Sequence, residues 1–189
     1  MRHYGFTDNA AFFCHRSVLL IVFIVKGVDN LNKFDEAAFE TLYNKYADML
    51  FKISYLYTGN SSDSEDILQE VFIKYLDKSP KFNSNEHEKA WLIRTAKNKC
   101  IDLKRSKHRS SVSLNENYTE DNNAAIDDMQ IAVRSELIKL DDKYKAVVYL
   151  YYYEDYSVAQ IAECLKITPS NVKTRLKRAR NFLKIELED

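Results

Sequence analysis

Glycine and proline are scarce in this 189-residue chain, which holds three Gly and two Pro. So few backbone breakers, set against abundant Lys, Glu, Leu, Ile and Tyr, exclude a turn-rich β fold and predict an almost wholly helical protein. Cysteine is equally sparse: Cys14, Cys100 and Cys164 lie far apart and form no metal-ligand spacing. Their odd count argues against a disulfide framework and fits reduced thiols in a cytoplasm, with Cys100 and Cys164 as core residues. An excess of charge of either sign is also lacking, since 28 Lys and Arg balance 28 Asp and Glu. The chain has no Gly-rich phosphate loop and no nucleophile motif. An enzyme would have to rest on Glu65, Asp66, Glu70 and His87, so we expect no catalytic residue, no metal, no cofactor and no small-molecule substrate.

Long apolar runs are missing too. Val18 to Val25 reads VLLIVFIV, well short of the ~20 residues a spanning helix needs. No small-residue cleavage site comes after it, only Lys26, Gly27, Val28, Asp29 and Asn30. We expect no stable membrane insertion. Residues 1–33 read as an N-terminal extension, either disordered or not translated in the native protein. Lys26 and Gly27 can be encoded by a purine-rich, ribosome-binding-like sequence, with Val28 or Leu31 as a non-Met start.

Helical periodicity and segregated charge are present instead. Phe39, Leu42, Tyr43, Tyr46, Met49, Leu50, Ile53 and Tyr57 keep helical spacing until Gly59 and Asn60 break it. Ser62 and Glu65 have capping-box spacing, and Ile67, Leu68, Val71, Phe72 and Leu76 continue as a second helix before Pro80. A third helix is predicted from about Glu86 to Arg105, with Ile93, Ala96, Cys100 and Leu103 inward. Residues 106–127, rich in Ser, Asn and acids, read as a flexible linker. Met129, Val133, Leu137 and Leu140 begin a second helical unit, and Val147, Val148, Leu150 and Tyr151 supply a helix to pack beneath the C-terminal segment.

Between Tyr156 and Lys184 the chain has the layout of a helix-turn-helix. Ser157 suits the cap of its first helix, whose packing face is Val158, Ile161, Ala162 and Leu165. Thr168 suits the N-cap of the second, with Pro169 at the first helical position. There Val172, Leu176, Ala179 and Leu183 form one stripe, while Lys173, Lys177, Arg180 and Lys184 repeat the same intervals one residue later. One residue is a rotation of about 100°, so the apolar stripe can face a core while the cations face phosphates. A basic solvated helix in an ordinary bundle is the plainer reading.

Two features of the first three helices carry chemistry. Asp63, Glu65, Asp66 and Glu70 place negative charge early in the second helix, beside Gln69 and near Ile67, Leu68 and Phe72. Helix-dipole stabilisation accounts for part of this, and a docking surface for a basic or amphipathic partner is the alternative. Further on, Trp91 leads a cationic stretch: Arg94 to Arg109 holds seven Lys or Arg against one Asp. Aromatic stacking with phosphate contacts is how proteins hold unpaired nucleic acid, although a core Trp with a solvated basic face fits as well.

Taken in order, DSEDILQEVFIKYLDK, AWLIRTAKNKCIDLKRSKHR, an acidic linker and a helix-turn-helix ending VKTRLKRAR resemble an extracytoplasmic-function (ECF) sigma factor of the sigma-70 family, over about Phe34 to Leu187. The resemblance implies an all-α protein of two small helical domains joined by a flexible acidic linker, working in the cytoplasm as a non-enzymatic initiation factor. After the extension at 1–33, which has no counterpart in the family pattern, the divisions would be a region-2-like domain at 34–109, a linker at 110–128 and a region-4-like domain at 129–189. It implies core RNA polymerase, promoter DNA and an anti-sigma factor as partners. It assigns Asp63, Asp66, Gln69, Glu70 and Phe72 to core polymerase. Asn83, Asn85, Trp91, Arg94, Lys97 and Asn98 become −10 contacts, and Ser170, Asn171, Lys173, Thr174, Lys177 and Arg178 become −35 contacts.

The chain departs from the family pattern at Asp141 and Asp142, where a Leu-Pro entry is common. Gln160 stands for a common Glu, and Ser170-Asn171 for a common Gly-Thr on the reading edge. A free-standing helix-turn-helix regulator is the rival reading. It would share the last fifty or so residues but would need neither the acidic helix nor the Trp-led one.

Overall fold

The computed structural model describes residues 35–78, 80–110 and 131–188, so the N-terminal extension, Cys14 and most of the acidic linker lie outside them. Seven helices and no strand make up the described residues. Helix α1 (Glu36–Thr58) starts at Asp35, whose carboxylate accepts from the Ala38 N–H at 3.1 Å. It stops at Gly59, left-handed at φ 75°, where a side chain would be penalised; the Gly59 N–H returns to the Tyr55 carbonyl at 2.8 Å.

Helix α2 (Ser61–Lys78) begins differently from the expectation. Its cap is Asn60, not Ser62: the Asn60 Oδ1 accepts from the Asp63 N–H at 2.8 Å and its Nδ2 donates to Asp63 Oδ2 at 2.7 Å. An amide can accept and donate at once, so Asn60 and Asp63 satisfy each other two positions earlier than the Ser62 and Glu65 pair would. Helix α3 (Asn85–Ser110) runs past the expected Arg105. Lys107, His108 and Arg109 occupy its last turn, where cations favour the C-terminal dipole and no breaker intervenes.

The remaining helices are α4 (Ile131–Lys139), α5 (Asp142–Tyr152), α6 (Val158–Leu165) and α7 (Pro169–Glu188). Ser157 and Gln160 form a complete capping box on α6, and Lys166 ends it in the left-handed region at φ 55°. The Asn171 N–H donates to Thr168 Oγ1 at 3.2 Å with Pro169 first in α7, as the sequence predicts. Val172, Leu176 and Ala179 are buried, and Leu183 packs against the same core.

Helices α1, α2 and α3 pack as a three-helix bundle, and α5, α6 and α7 pack on one another. These two groups share a single core. The reason lies in α1, where burial extends beyond the predicted stripe to Ala47, Phe51, Tyr55 and Leu56. A helix apolar on nearly every face must be covered on nearly every side. The second group supplies the cover: α4 and α5 pack on α1, with the Arg134 guanidinium over the Tyr55 ring at 6.0 Å. Polar contacts line the seam. The Tyr57 hydroxyl donates to the Asp142 carbonyl at 2.9 Å, Lys104 pairs with the Asp142 carboxylate at 2.7 Å, and Lys89 pairs with Glu154 at 2.7 Å. Cys100 and Cys164 are buried free thiols, and burial pushes their pKa up to about 12 and about 11.

Candidate nucleic-acid interface

Helix α7 presents to solvent the edge to which the sequence reading assigns −35 contacts. Ser170, Asn171, Lys173, Thr174, Lys177 and Arg178 are all exposed, opposite the buried stripe. Two nearby cations do other work. Arg175 donates to Asn171 Oδ1 at 2.8 Å and to the Lys143 carbonyl at 2.9 Å, tying α7 to the start of α5. Arg180 donates to the Tyr152 hydroxyl at 2.7 Å and lies over the Tyr151 and Tyr152 rings. Arg180 shares the one-residue-shifted stripe with Lys173 and Lys177, yet it is engaged with α5. A long side chain one turn short of the stripe's end reaches the aromatic end of α5, which periodicity cannot register.

The cationic helix α3 comes after a short loop over residues 80–84, and Ser84 caps it by accepting from the His87 N–H at 3.2 Å. Asn83, Asn85 and Asn98 are exposed. Trp91 is half-buried within three mutually touching rings: Tyr75 stacks on Phe82 at 6.1 Å, and both meet Trp91 edge-on at 6.0 Å. Glu88 lies beneath. Its carboxylate accepts from the Tyr75 hydroxyl at 2.7 Å and the Tyr46 hydroxyl at 2.9 Å. Burial, and the bond to Glu88, raise both phenols well above their ordinary range, so they remain donors at any physiological pH. Periodicity assigns Tyr46 to the core and passes over Tyr75, Phe82 and Glu88. A phenol and a carboxylate on separate helices leave no local pattern.

Arg94 and Lys97 sit deeper than expected. The Arg94 guanidinium donates to the Cys164 carbonyl near the end of α6 at 2.6 Å. Lys97 is half-buried, and its pKa is lowered by burial and then by the nearby Arg175 charge. One groove is lined on one side by Phe82, Asn85 and Trp91 and on the other by Tyr156 and Gln160. The closed packing of the two helical groups therefore covers part of the α3 surface that the sequence marks for nucleic acid.

On α2, Asp66 and Glu70 are exposed and Gln69 is half-exposed. Glu70 pairs with Lys99. Asp63 is turned inward to Lys107 at 2.6 Å; burial raises its carboxyl pKa, but the bonds from Lys107 and Asn60 outweigh that and leave it lowered. Phe72 is fully buried, its ring against Phe39 and Tyr43 at 5.8 and 4.8 Å. It supports the acidic face from beneath and has no surface to offer a partner. His87 does not join Glu65, Asp66 and Glu70 in a cluster; it faces Glu163 on α6 at 3.8 Å.

Comparison with known proteins matches this organisation. The family model for sigma-70 region 2 matches residues 42–110 and that for sigma-70 region 4 matches residues 130–183. The chain is 30% identical over 182 residues to the ECF RNA polymerase sigma factor SigW of Bacillus subtilis, covering 88% of this chain and 97% of that one. It is 30% identical over 164 residues to the ECF RNA polymerase sigma factor SigL of Mycobacterium tuberculosis, covering 82% and 92%. Among solved structures, its fold is similar to the sigma factor RpoE bound to the anti-sigma factor NepR from Bartonella quintana (TM-score 0.66, 20% identity, 80% of this chain and 97% of that one). It is also similar to CnrH bound to the cytosolic domain of CnrY (TM-score 0.59, 21% identity, 91% and 97%).

Proposed function

The chain belongs to the ECF sigma factors of the sigma-70 family, and from that premise we propose how its surfaces divide the work of starting transcription. As an RNA polymerase sigma factor it joins core polymerase and directs initiation at promoters. Residues 34–109 act as the domain that docks on polymerase and opens the −10 element, 110–128 as the linker, and 129–189 as the domain that reads the −35 element. On α2, Asp66, Gln69 and Glu70 face polymerase, and Asp63 joins them on release from Lys107. Asn83, Asn85, Trp91 and Asn98 meet the −10 strand, with Arg94 and Lys97 added once α6 moves off α3.

The observation that carries this reading is the two-faced α7, with six polar side chains exposed along one edge over a buried Val172, Leu176 and Ala179 stripe. Base-edge contacts from Lys173 and Arg178 supply selectivity, each good bidentate pair contributing about 1–3 kcal/mol. Two domains held at fixed spacing by polymerase bind DNA far better than either alone, because the second engagement is intramolecular. An anti-sigma factor that holds α3 and α6 together would keep the factor idle, in the cytoplasm. No described helix is long and apolar enough to cross a membrane.

The test is selectivity. Lys173→Ala or Arg178→Ala should reduce initiation at the mapped promoter relative to unrelated sites by about tenfold while polymerase binding persists. Equal loss of polymerase binding would contradict the division of labour.

A further inference from the structure

We propose that Glu88 is a positioning residue for promoter melting, holding in place the aromatic cluster beside the 80–84 loop without touching DNA itself. The proposal rests on the proposed −10 role of Asn83 and Trp91. Glu88 lies in the first turn of α3, directly after that loop. One carboxylate oxygen accepts from Tyr46 of α1 and the other from Tyr75 of α2, while Lys45 approaches to 3.9 Å and also donates to Asn85 Oδ1 at 3.2 Å. A single side chain thus ties all three helices of the bundle where the loop joins α3.

The tie has a direction. The Tyr75 hydroxyl is anchored, which fixes where its ring lies, and that ring stands at 24° to Phe82 and 74° to Trp91. All three rings are half-buried, keeping part of their surface in solvent. A ring whose position is set in advance takes a stacked base with less rotamer freedom to lose on binding. A core role alone would be met by Phe at position 75, without burying a hydroxyl beside a carboxylate. Glu88 itself has a side chain only 16% exposed and both oxygens engaged, so its effect passes through the tyrosines.

The experiment uses the full chain bound to core polymerase. The probe is a fluorescent single strand carrying the non-template −10 element of a promoter located from the transcript starts the protein directs. Glu88→Gln leaves one acceptor for two hydroxyls, and Tyr75→Phe removes one hydroxyl while keeping the ring. Each should weaken binding of that strand about tenfold, the order expected from one charge-assisted hydrogen bond, and should blunt discrimination against a base change in it. Binding to core polymerase and to a duplex −35 fragment should not change, and the double variant should be no worse than Glu88→Gln alone.

Unchanged strand binding and discrimination in Tyr75→Phe, with only a lower melting temperature, would reduce Glu88 to a packing residue. A wild-type holoenzyme that fails to distinguish the cognate strand from a scrambled one would overturn the −10 reading and the role of Glu88 with it.

Discussion

At the residue scale, burial separates side chains that the sequence places together. Phe72 stands beside Gln69 and Glu70 in the acidic helix, yet it is fully buried against Phe39 and Tyr43. Phe72→Ala should destabilise the protein by about 3–5 kcal/mol, whereas Asp66→Ala should lower affinity for core polymerase and leave the melting temperature nearly unchanged. Calorimetry and a polymerase pull-down distinguish the two. Lys145 is a second case, 2% exposed and close to Lys104 and Asp142. Burial, reinforced by the Lys104 charge, pulls its pKa down to about 8 from 10.5. Between those values the unfolded chain holds the extra proton, so Lys145 should make stability rise as pH climbs from about 8 toward 9. Above about 9 the trend should reverse, because Cys100 and Cys164, and at higher pH Tyr57 and Tyr149, stay protonated in the fold while the same groups ionise in the unfolded chain. Urea melts across this range should show the rise in the wild type and its loss in Lys145→Met; a rise that persists in the variant would exclude Lys145 as the source.

At the element scale, most of the helices are legible in the sequence because their signals are local. Gly59, Ser157, Thr168 and Pro169 mark ends by their own backbone chemistry, and each marks the end found in the structure. Thr168→Ala should cost about 1 kcal/mol and fray the start of α7, measurable as faster amide exchange at Asn171. The α2 cap escapes sequence reasoning because two polar residues, Asn60 and Ser62, offer the same chemistry two positions apart, and only the geometry after Gly59 selects Asn60. Within α7, repetition every three or four residues identifies the faces but not the reach of a guanidinium. Arg175→Ala should therefore loosen the α5–α7 packing and lower the melting temperature, where Lys173→Ala, at an exposed position, should not.

At the scale of the whole molecule, the sequence separates two helical units and the structure packs them together. The signal is present in α1, where Tyr46 to Tyr57 is apolar on every face apart from Asp48, Lys52 and the small Ser54, but which partner covers it is not a local property. Nor can Asp142, a departure from the family pattern, be seen from sequence as the acceptor for both Tyr57 and Lys104. Removing seam contacts with Asp142→Ala and Glu154→Ala should shift the free protein toward open forms by about tenfold. The expectation takes each partly exposed pair at up to about 1 kcal/mol, and small-angle scattering reads it as a larger radius of gyration. Separation of α6 from α3 would free Arg94 and Lys97 for DNA, which links the seam to the proposed function.

The measurement that bears most directly on that function is transcription in vitro, with the full chain and core RNA polymerase on a fragmented genomic library and the transcript starts sequenced. Starts that depend on the protein, share paired upstream elements and fade with Lys173→Ala are the predicted result. No dependent starts, with sequence-specific duplex binding by the protein alone, would contradict it and favour a free-standing regulator.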